Sequence, residues 1–173
     1  MNWYVLQVAG GKEPDVCAGL RRKGLQARTP KQRFQIRRRG QWQEEERLLL
    51  PGYVFVRADY TAAVYHLAAA VPGVIRWLGL DHGAPVALEP PDIVRWELEG
   101  REVLGPSRVL FYPGGVWNVL DGPLAAFAVD EIRMDRRQRR AWVTVRVGDG
   151  ERRVCFAVTP VDHTGPVATA QKK

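Results

Sequence analysis

Long apolar runs are missing from this sequence. No uncharged hydrophobic stretch approaches the roughly twenty residues that a bilayer crossing needs, so a transmembrane helix is not expected. Cysteine is scarce. Cys17 and Cys155 lie far apart and match no zinc or redox spacing. They read as reduced, buried, small apolar side chains of a cytoplasmic protein. Histidine is scarce too, and His66, His82 and His163 have no cysteine or carboxylate at ligand spacing. There is no P-loop, no G-x-S-x-G and no dinucleotide fingerprint. The run Glu44–Glu46 places carboxylates side by side. Consecutive strand residues point to alternating faces, so it reads as a solvated acidic strand and not as an acid–base pair. These absences argue against an enzyme and against a metal or organic cofactor. The N-terminus runs straight into "NWYVLQV" without a basic region or a small-residue cleavage site, so no signal peptide is expected.

Acidic side chains are in the minority. Lys and Arg number 26 against 19 Asp and Glu, a net charge of +7, and the pI is near 9.8. An anionic partner follows as a first expectation, with nucleic acid ahead of an acidic membrane. The hydrophobic fraction of 46% is that of a folded globular chain. Its 173 residues suffice for one ordinary domain or two small ones.

The first part of the chain mixes element types. "WYVLQV" is rich in β-formers and predicts a strand. A helix is predicted over about Glu13–Lys23, with Pro14 in its first turn, Val16 and Leu20 spaced i, i+4, and Gly24 as its stop. "LQARTP" reads as a short strand. "KQRFQIRRR" and "QWQEEER" read as a hairpin turning at Gly40. Next comes "LLLPGYVFV". On a strand starting after Pro51, Val54 and Val56 share one face, and Tyr53 and Phe55 share the other. Both faces are apolar, so this strand needs a cover on each side. Asp59 looks like the N-cap of a helix reaching about Ala70, with Val64, Leu67, Ala68 and Val71 forming its buried stripe. "GVIRWLGL" reads as a strand and "EPPDIVRWELEG" as a short helix.

After residue 100 the pattern changes. Residues 101–109 show no clear period and read as a linker. Strands then follow one another: "GVWNVLDG", "FAVDEIRMD", "RRAWVTVRVGDG" and "ERRVCFAVTPV". Turns every 8 to 12 residues are the signature of a small β-barrel. The expected organisation is a mixed α/β domain at 1–100, a linker at 101–109, a β-barrel at 110–163 and a frayed tail at 164–173.

Two basic clusters stand out. Residues 21–39 hold nine basic side chains and no acidic one. Arg21, Arg22 and Lys23 end the first helix, where they suit phosphates or the helix dipole. Arg37, Arg38 and Arg39 face the glutamates of the returning strand and suit either ion pairs or nucleic acid. Arg136, Arg137, Arg139 and Arg140 flank a turn between barrel strands, a common arrangement in readers of single-stranded or hairpin RNA. Trp117 and Trp142 are platforms or core.

The order of these pieces resembles the NusG family of transcription elongation factors. "WYVLQV" with the Gly-Lys-Glu helix start, "LLLPGYVFV", the "PGV" at 72–74, and the KOW-like "GGVWNVLDGPLAAF" carry the resemblance. It implies an α+β chain. Its first domain would be an NGN-type α/β sandwich, an antiparallel sheet with about three helices, followed by a small SH3-like KOW barrel. It also implies an RNA polymerase-binding surface on the clamp helices of the polymerase largest subunit. Tyr53 and Phe55 would contribute to that surface, joined by Leu50 and Gln7. The implied partners are the polymerase, a nascent RNA hairpin or non-template DNA, and a ribosomal protein or termination factor; no membrane is implied, and the chain is expected to be a monomer. "IRMDRRQRRAWVTV" is similar to the specialised LoaP-type antiterminator paralogues. Ala126 and Val129 stand where KOW motifs commonly carry glycine. Val64, Tyr65 and His66 match the positions of a polymerase-contacting His-Thr-Thr stretch in the RfaH-type paralogue. The implied function is elongation or antitermination, with the barrel recruiting RNA or a protein. The alternatives are a general factor coupling polymerase to a ribosome or a termination factor, and a ribosome-associated KOW RNA-binding protein.

Overall fold

The structure is a computed structural model that describes residues 1–81, 84–88, 103–147, 150–162 and 171–172. The helix expected over 89–100, and His82 and His163, lie outside the described residues. In chain order the elements are β1 (Asn2–Val8), α1 (Glu13–Arg22), β2 (Gln26–Arg28), β3 (Lys31–Arg38), β4 (Gln41–Leu48), β5 (Tyr53–Ala58) and α2 (Ala62–Ala69). Then come β6 (Val74–Trp77), β7 (Leu80–Asp81), β8 (Ala84–Pro85), β9 (Val103–Leu104), β10 (Ser107–Phe111) and β11 (Val116–Asp121). β12 (Arg133–Asp135), β13 (Arg140–Val147), β14 (Gly150–Asp162) and β15 (Gln171–Lys172) complete the set. The chain is α+β.

The residues gather into two compact units. The first comprises Met1–Pro30, Leu50–Glu102 and Val145–Arg152; the second comprises Lys31–Leu49, Val103–Thr144 and Arg153–Lys173. This division differs from the one read along the sequence, because the β3–β4 hairpin belongs with the C-terminal strands.

The first unit is built on a four-stranded sheet of order β2-β5-β1-β6, antiparallel at each junction. Alternation along β1 sends Tyr4, Leu6 and Val8 to one side. There they join Val54 and Val56 of β5, Val16, Cys17 and Leu20 of α1, and Ala68 of α2 in one buried core. α1 carries Glu13 and Asp15 in its first turn and Arg21 and Arg22 in its last, each complementing the helix dipole. Glu13 is buried, and its carboxylate accepts the Gly52 N–H at 2.7 Å.

α2 corrects one expectation. Its N-cap is Thr61, whose Oγ1 accepts the Val64 N–H at 3.1 Å. Asp59 instead pairs with the N-terminal ammonium at 3.0 Å. Of the expected stripe, Ala68 and Val71 are buried and Val64 packs on the core, but Leu67 is exposed.

The second unit holds most of a six-stranded sheet of order β12-β13-β14-β10-β11-β15, together with the β4-β3-β9 sheet. β10 begins inside the stretch expected as linker, and β9 lies there too. β10 pairs in parallel with β14 and antiparallel with β11. The expected strand "FAVDEIRMD" is mostly not one. It forms a 3₁₀ turn at Val129–Glu131, then the three residues of β12. Glu131 is the reason: its Oε2 accepts the Ala128 N–H at 2.8 Å and stabilises the turn locally.

Gln32 explains why the hairpin joins this unit. It is fully buried. Its amide donates to the Cys155 carbonyl at 2.9 Å and accepts the Ala157 N–H at 2.6 Å. A buried amide is retained where both its ends are satisfied, and here both are satisfied by the backbone of β14. The hairpin register follows the sequence reading, with Arg38 opposite Gln41 across the Gly40 turn.

Candidate functional site

β1 and β5 pair so that Val5 lies opposite Phe55, Gln7 opposite Tyr53, and Trp3 opposite Arg57. These residues form the sheet face away from α1 and α2. Arg28 of β2 lies opposite Phe55 in the same row. At its apolar centre Trp3, Val5 and Phe55 are at most 1% exposed. Gln7 and Tyr53 are half-buried at its edge.

This corrects the sequence reading in one respect. Tyr53 and Phe55 are indeed on the second face, and Gln7 is directly beside Tyr53, but the face is not open. Phe55 is fully covered and Leu50, in the turn before β5, is 5% exposed. Within the same unit Arg152 reaches Tyr53. Its Nε donates to the phenol oxygen at 2.6 Å, and its guanidinium lies 5.6 Å from the ring centroid. Such a contact stabilises by about 0.5–1 kcal/mol when exposed. Gln7 is held as well, accepting from Arg76 Nε at 2.9 Å. Arg152 has no signal in the sequence pattern, since its meeting with Tyr53 spans 99 positions.

Val64 and Tyr65 pack against the core of the first unit, and His66 is exposed. Tyr65 stacks on Trp77 with centroids 5.8 Å apart, and its carbonyl accepts the Trp77 indole N–H at 3.1 Å.

In the first unit Arg21, Arg22 and Lys23 are exposed at the end of α1, with Arg21 Nε donating to the Ala27 carbonyl at 3.0 Å. In the second unit the four turn arginines have separate surroundings. Arg136 pairs with Asp162 and lies 5.0 Å over the Phe111 ring. Arg139 donates to Gln35 and lies 4.0 Å over Trp42. Arg140 lies 5.6 Å over Phe34. Arg137 is exposed. Arg139 takes a left-handed φ of 54°, which closes the turn together with the Gln138 N–H donated to Asp135 at 3.0 Å. So the cluster is anchored to aromatic faces instead of standing free. Arg37, 6.0 Å from the same Trp42, and exposed Arg39 extend it onto the β3–β4 hairpin, while Arg38 is paired with Glu45 at 2.8 Å. Trp42 is the member that sequence reading missed. Of the two proposed platforms, Trp117 is core, and Trp142 is half-buried beneath Arg153 at 4.6 Å.

Among the described residues, no group of three His, Cys, Asp or Glu side chains is placed to hold a metal ion, and no helix is long and apolar enough to cross a membrane. Neither cysteine is in a disulfide, and burial pushes the Cys155 thiol up against the opposing pull of Arg140, Arg153 and Arg47.

The comparison with known proteins turns on the sheet unit just described. Residues 1–96 match the family model described as "Transcription termination factor nusG". The chain belongs to the NusG family. This places it among transcription termination and antitermination factors. It is 30% identical over 157 residues to the "Transcription termination/antitermination protein NusG" of Escherichia coli strain K12, covering 83% of this chain and 87% of that one. The protein of the same name in Pseudomonas aeruginosa is 26% identical, over 83% and 89%. A solved structure titled "Domain interaction in Thermotoga maritima NusG" matches with a TM-score of 0.54 at 22% identity, covering 90% of this chain and 93% of that one. At that identity the likeness speaks for the NusG fold alone.

Proposed function

We propose that this chain is an elongation or antitermination factor that docks on RNA polymerase through the outer face of the β1–β5 sheet. The C-terminal strand unit then recruits nascent RNA. The observation that carries this reading is the accessible rim of that face, where half-buried Tyr53 and Gln7 lie side by side at the edge of the sealed Trp3–Val5–Phe55 centre. Membership of the NusG family supports the same reading. Tyr53 and Gln7 are the docking contacts, and the buried Phe55 and Leu50 support them from beneath. Because Arg152 grips Tyr53, docking exchanges one cover for another. The Arg152 contact lowers the affinity for the polymerase surface several-fold, a population shift and not a chemical step. No catalysis is involved; binding energy holds the polymerase in one conformation.

The basic turn Arg136–Arg140, with Arg37 and Arg39, supplies the electrostatic attraction for RNA, and aromatic-backed guanidiniums suit single-stranded bases. Transcription in vitro with purified RNA polymerase tests the function. Adding the chain should change the fraction of complexes that read through an intrinsic terminator or leave a pause site. Identical transcript patterns with and without saturating chain would overturn the proposal.

A further inference from the structure

β12, β13 and β14 turn one face of their sheet to solvent. Alternation buries Met134 of β12, Ala141 and Val143 of β13, and Val154 and Phe156 of β14 on the core side. Arg133, Trp142, Thr144 and Arg153 fall on the other side, where Trp142 is half-buried and the rest are exposed. Arg133 lies directly opposite Trp142 in the β12–β13 ladder. Arg153, from β14, stacks its guanidinium 4.6 Å over the indole ring. A tryptophan on the solvent side of the sheet is therefore flanked by a cation from the strand on each side. Neither arginine meets a carboxylate within ion-pair distance among the described residues. β12 and β13 carry a single carboxylate, Asp135, and its Oδ1 accepts the Gln138 N–H of the adjoining turn at 3.0 Å. A half-exposed indole between two cations is a stacking surface in positive potential, which suits unpaired bases and their phosphates.

We propose that this sheet face is a second RNA contact, in which one unpaired base stacks against Trp142 and Arg153 while Arg133 and Arg153 neutralise the flanking phosphates. The proposal rests on the reading that the C-terminal strand unit recruits nascent RNA, and it adds a platform outside the turn arginines. Trp142 stands two residues along β13 from Arg140, about 7 Å, so a strand drawn in by the turn runs on across the face. Stacking of this kind tolerates any base, because every base has a π-face. It does not tolerate pairing, because a duplex keeps its base faces inside. The platform therefore selects single strands over duplexes and is indifferent to sequence. An acidic peptide answers the two cations but brings nothing flat to the indole.

The test uses the full chain, a short labelled single-stranded oligoribonucleotide and an RNA duplex of the same length, with binding read by fluorescence anisotropy. Trp142→Ala should bind the single strand about tenfold more weakly, the size of one lost base stack, and bind the duplex as the native chain does. Trp142→Phe keeps a stacking face and should stay within about threefold of native. Arg133→Gln and Arg153→Gln should each flatten the slope of log affinity against log salt by about 0.7. Independently of any variant, cross-linking of the native chain to 4-thiouridine RNA followed by trypsin should label the peptide Ala141–Arg146, released by cuts after Arg140 and Arg146. Native single-strand affinity in Trp142→Ala, equal losses for single strand and duplex, unchanged salt slopes in both arginine variants, tighter binding of an oligoglutamate peptide than of the single strand, or labels confined to other peptides would each overturn the platform while leaving RNA engagement at the turn standing. Absence of salt-sensitive RNA binding by the native chain would overturn both.

Discussion

Phe55→Ala should lower the stability of the unfolding transition that reports the first unit by about 3–5 kcal/mol, the range for truncating a fully buried phenylalanine. The ring has no exposed surface, and Val5 and Arg28 flank it across the sheet. Nothing small can fill the space it leaves without moving β1 or β2, both of which are fixed to β5 by their ladders. Urea denaturation followed by circular dichroism measures the loss. A change below 1 kcal/mol would mean that Phe55 is not sealed and that the outer face is open. The size of the loss also makes Phe55 a poor probe of docking, because reduced polymerase binding would be inseparable from partial unfolding. Tyr53, half-buried at the rim, is the better probe.

Gly122→Ala should cost about 2–5 kcal/mol in the second unit, from two sources that add. Gly122 has φ +97°, and a side chain in a left-handed conformation costs about 1–2 kcal/mol. The new Cβ would also lie 2.5 Å from Ser107 Cα and 2.7 Å from its hydroxyl. Ser107 cannot retreat, because β10 is paired with β14 and β11 and the hydroxyl accepts the Leu124 N–H at 3.0 Å. Overpacking of this kind adds about 1–3 kcal/mol. The turn Pro123–Ala126 that follows Gly122 depends on that hydroxyl. Gly10→Ala is the control, since a Cβ there meets nothing within 4 Å. Equal melting of the two variants would contradict the packing described at Gly122.

Local signals carried much of this fold. The β-rich "WYVLQV", the proline-started α1, the Gly40 hairpin and the long strands β13 and β14 were all legible, because each is set by residues close in sequence. Thr61 and Asp59 were not separable by sequence, since both are good N-caps and the N-terminal ammonium that takes Asp59 comes from the other end of the domain. β10 was hidden behind Gly105 and Pro106; its pairing with β14 spans about fifty residues, and no period reports a partner that distant. The allegiance of the hairpin to the second unit rests on buried Gln32, the β3–β9 pairing and the Arg139 and Arg140 contacts with Gln35, Trp42 and Phe34, and a glutamine in a strand of alternating polarity gives no sign of burial.

The candidate site divides the same way. Period-two alternation placed Tyr53 and Phe55 on the second face, and the β1 register brought Gln7 beside them. What covers that face is a long-range fact. Arg152 lies in a strand that reads as ordinary barrel, yet it ends on Tyr53. Likewise the turn arginines were legible as a cluster, whereas their seating on Trp42, Phe34 and Phe111 depends on where distant strands come together.

Direct binding of purified RNA polymerase to the native chain, Tyr53→Ala and Arg152→Ala, compared by surface plasmon resonance, tests the central claim. The account predicts that Arg152→Ala binds several-fold more tightly than the native chain, because about 0.5–1 kcal/mol of competing contact is gone, and that Tyr53→Ala binds at least tenfold more weakly, as for a lost aromatic anchor. Equal affinity for all three would contradict it.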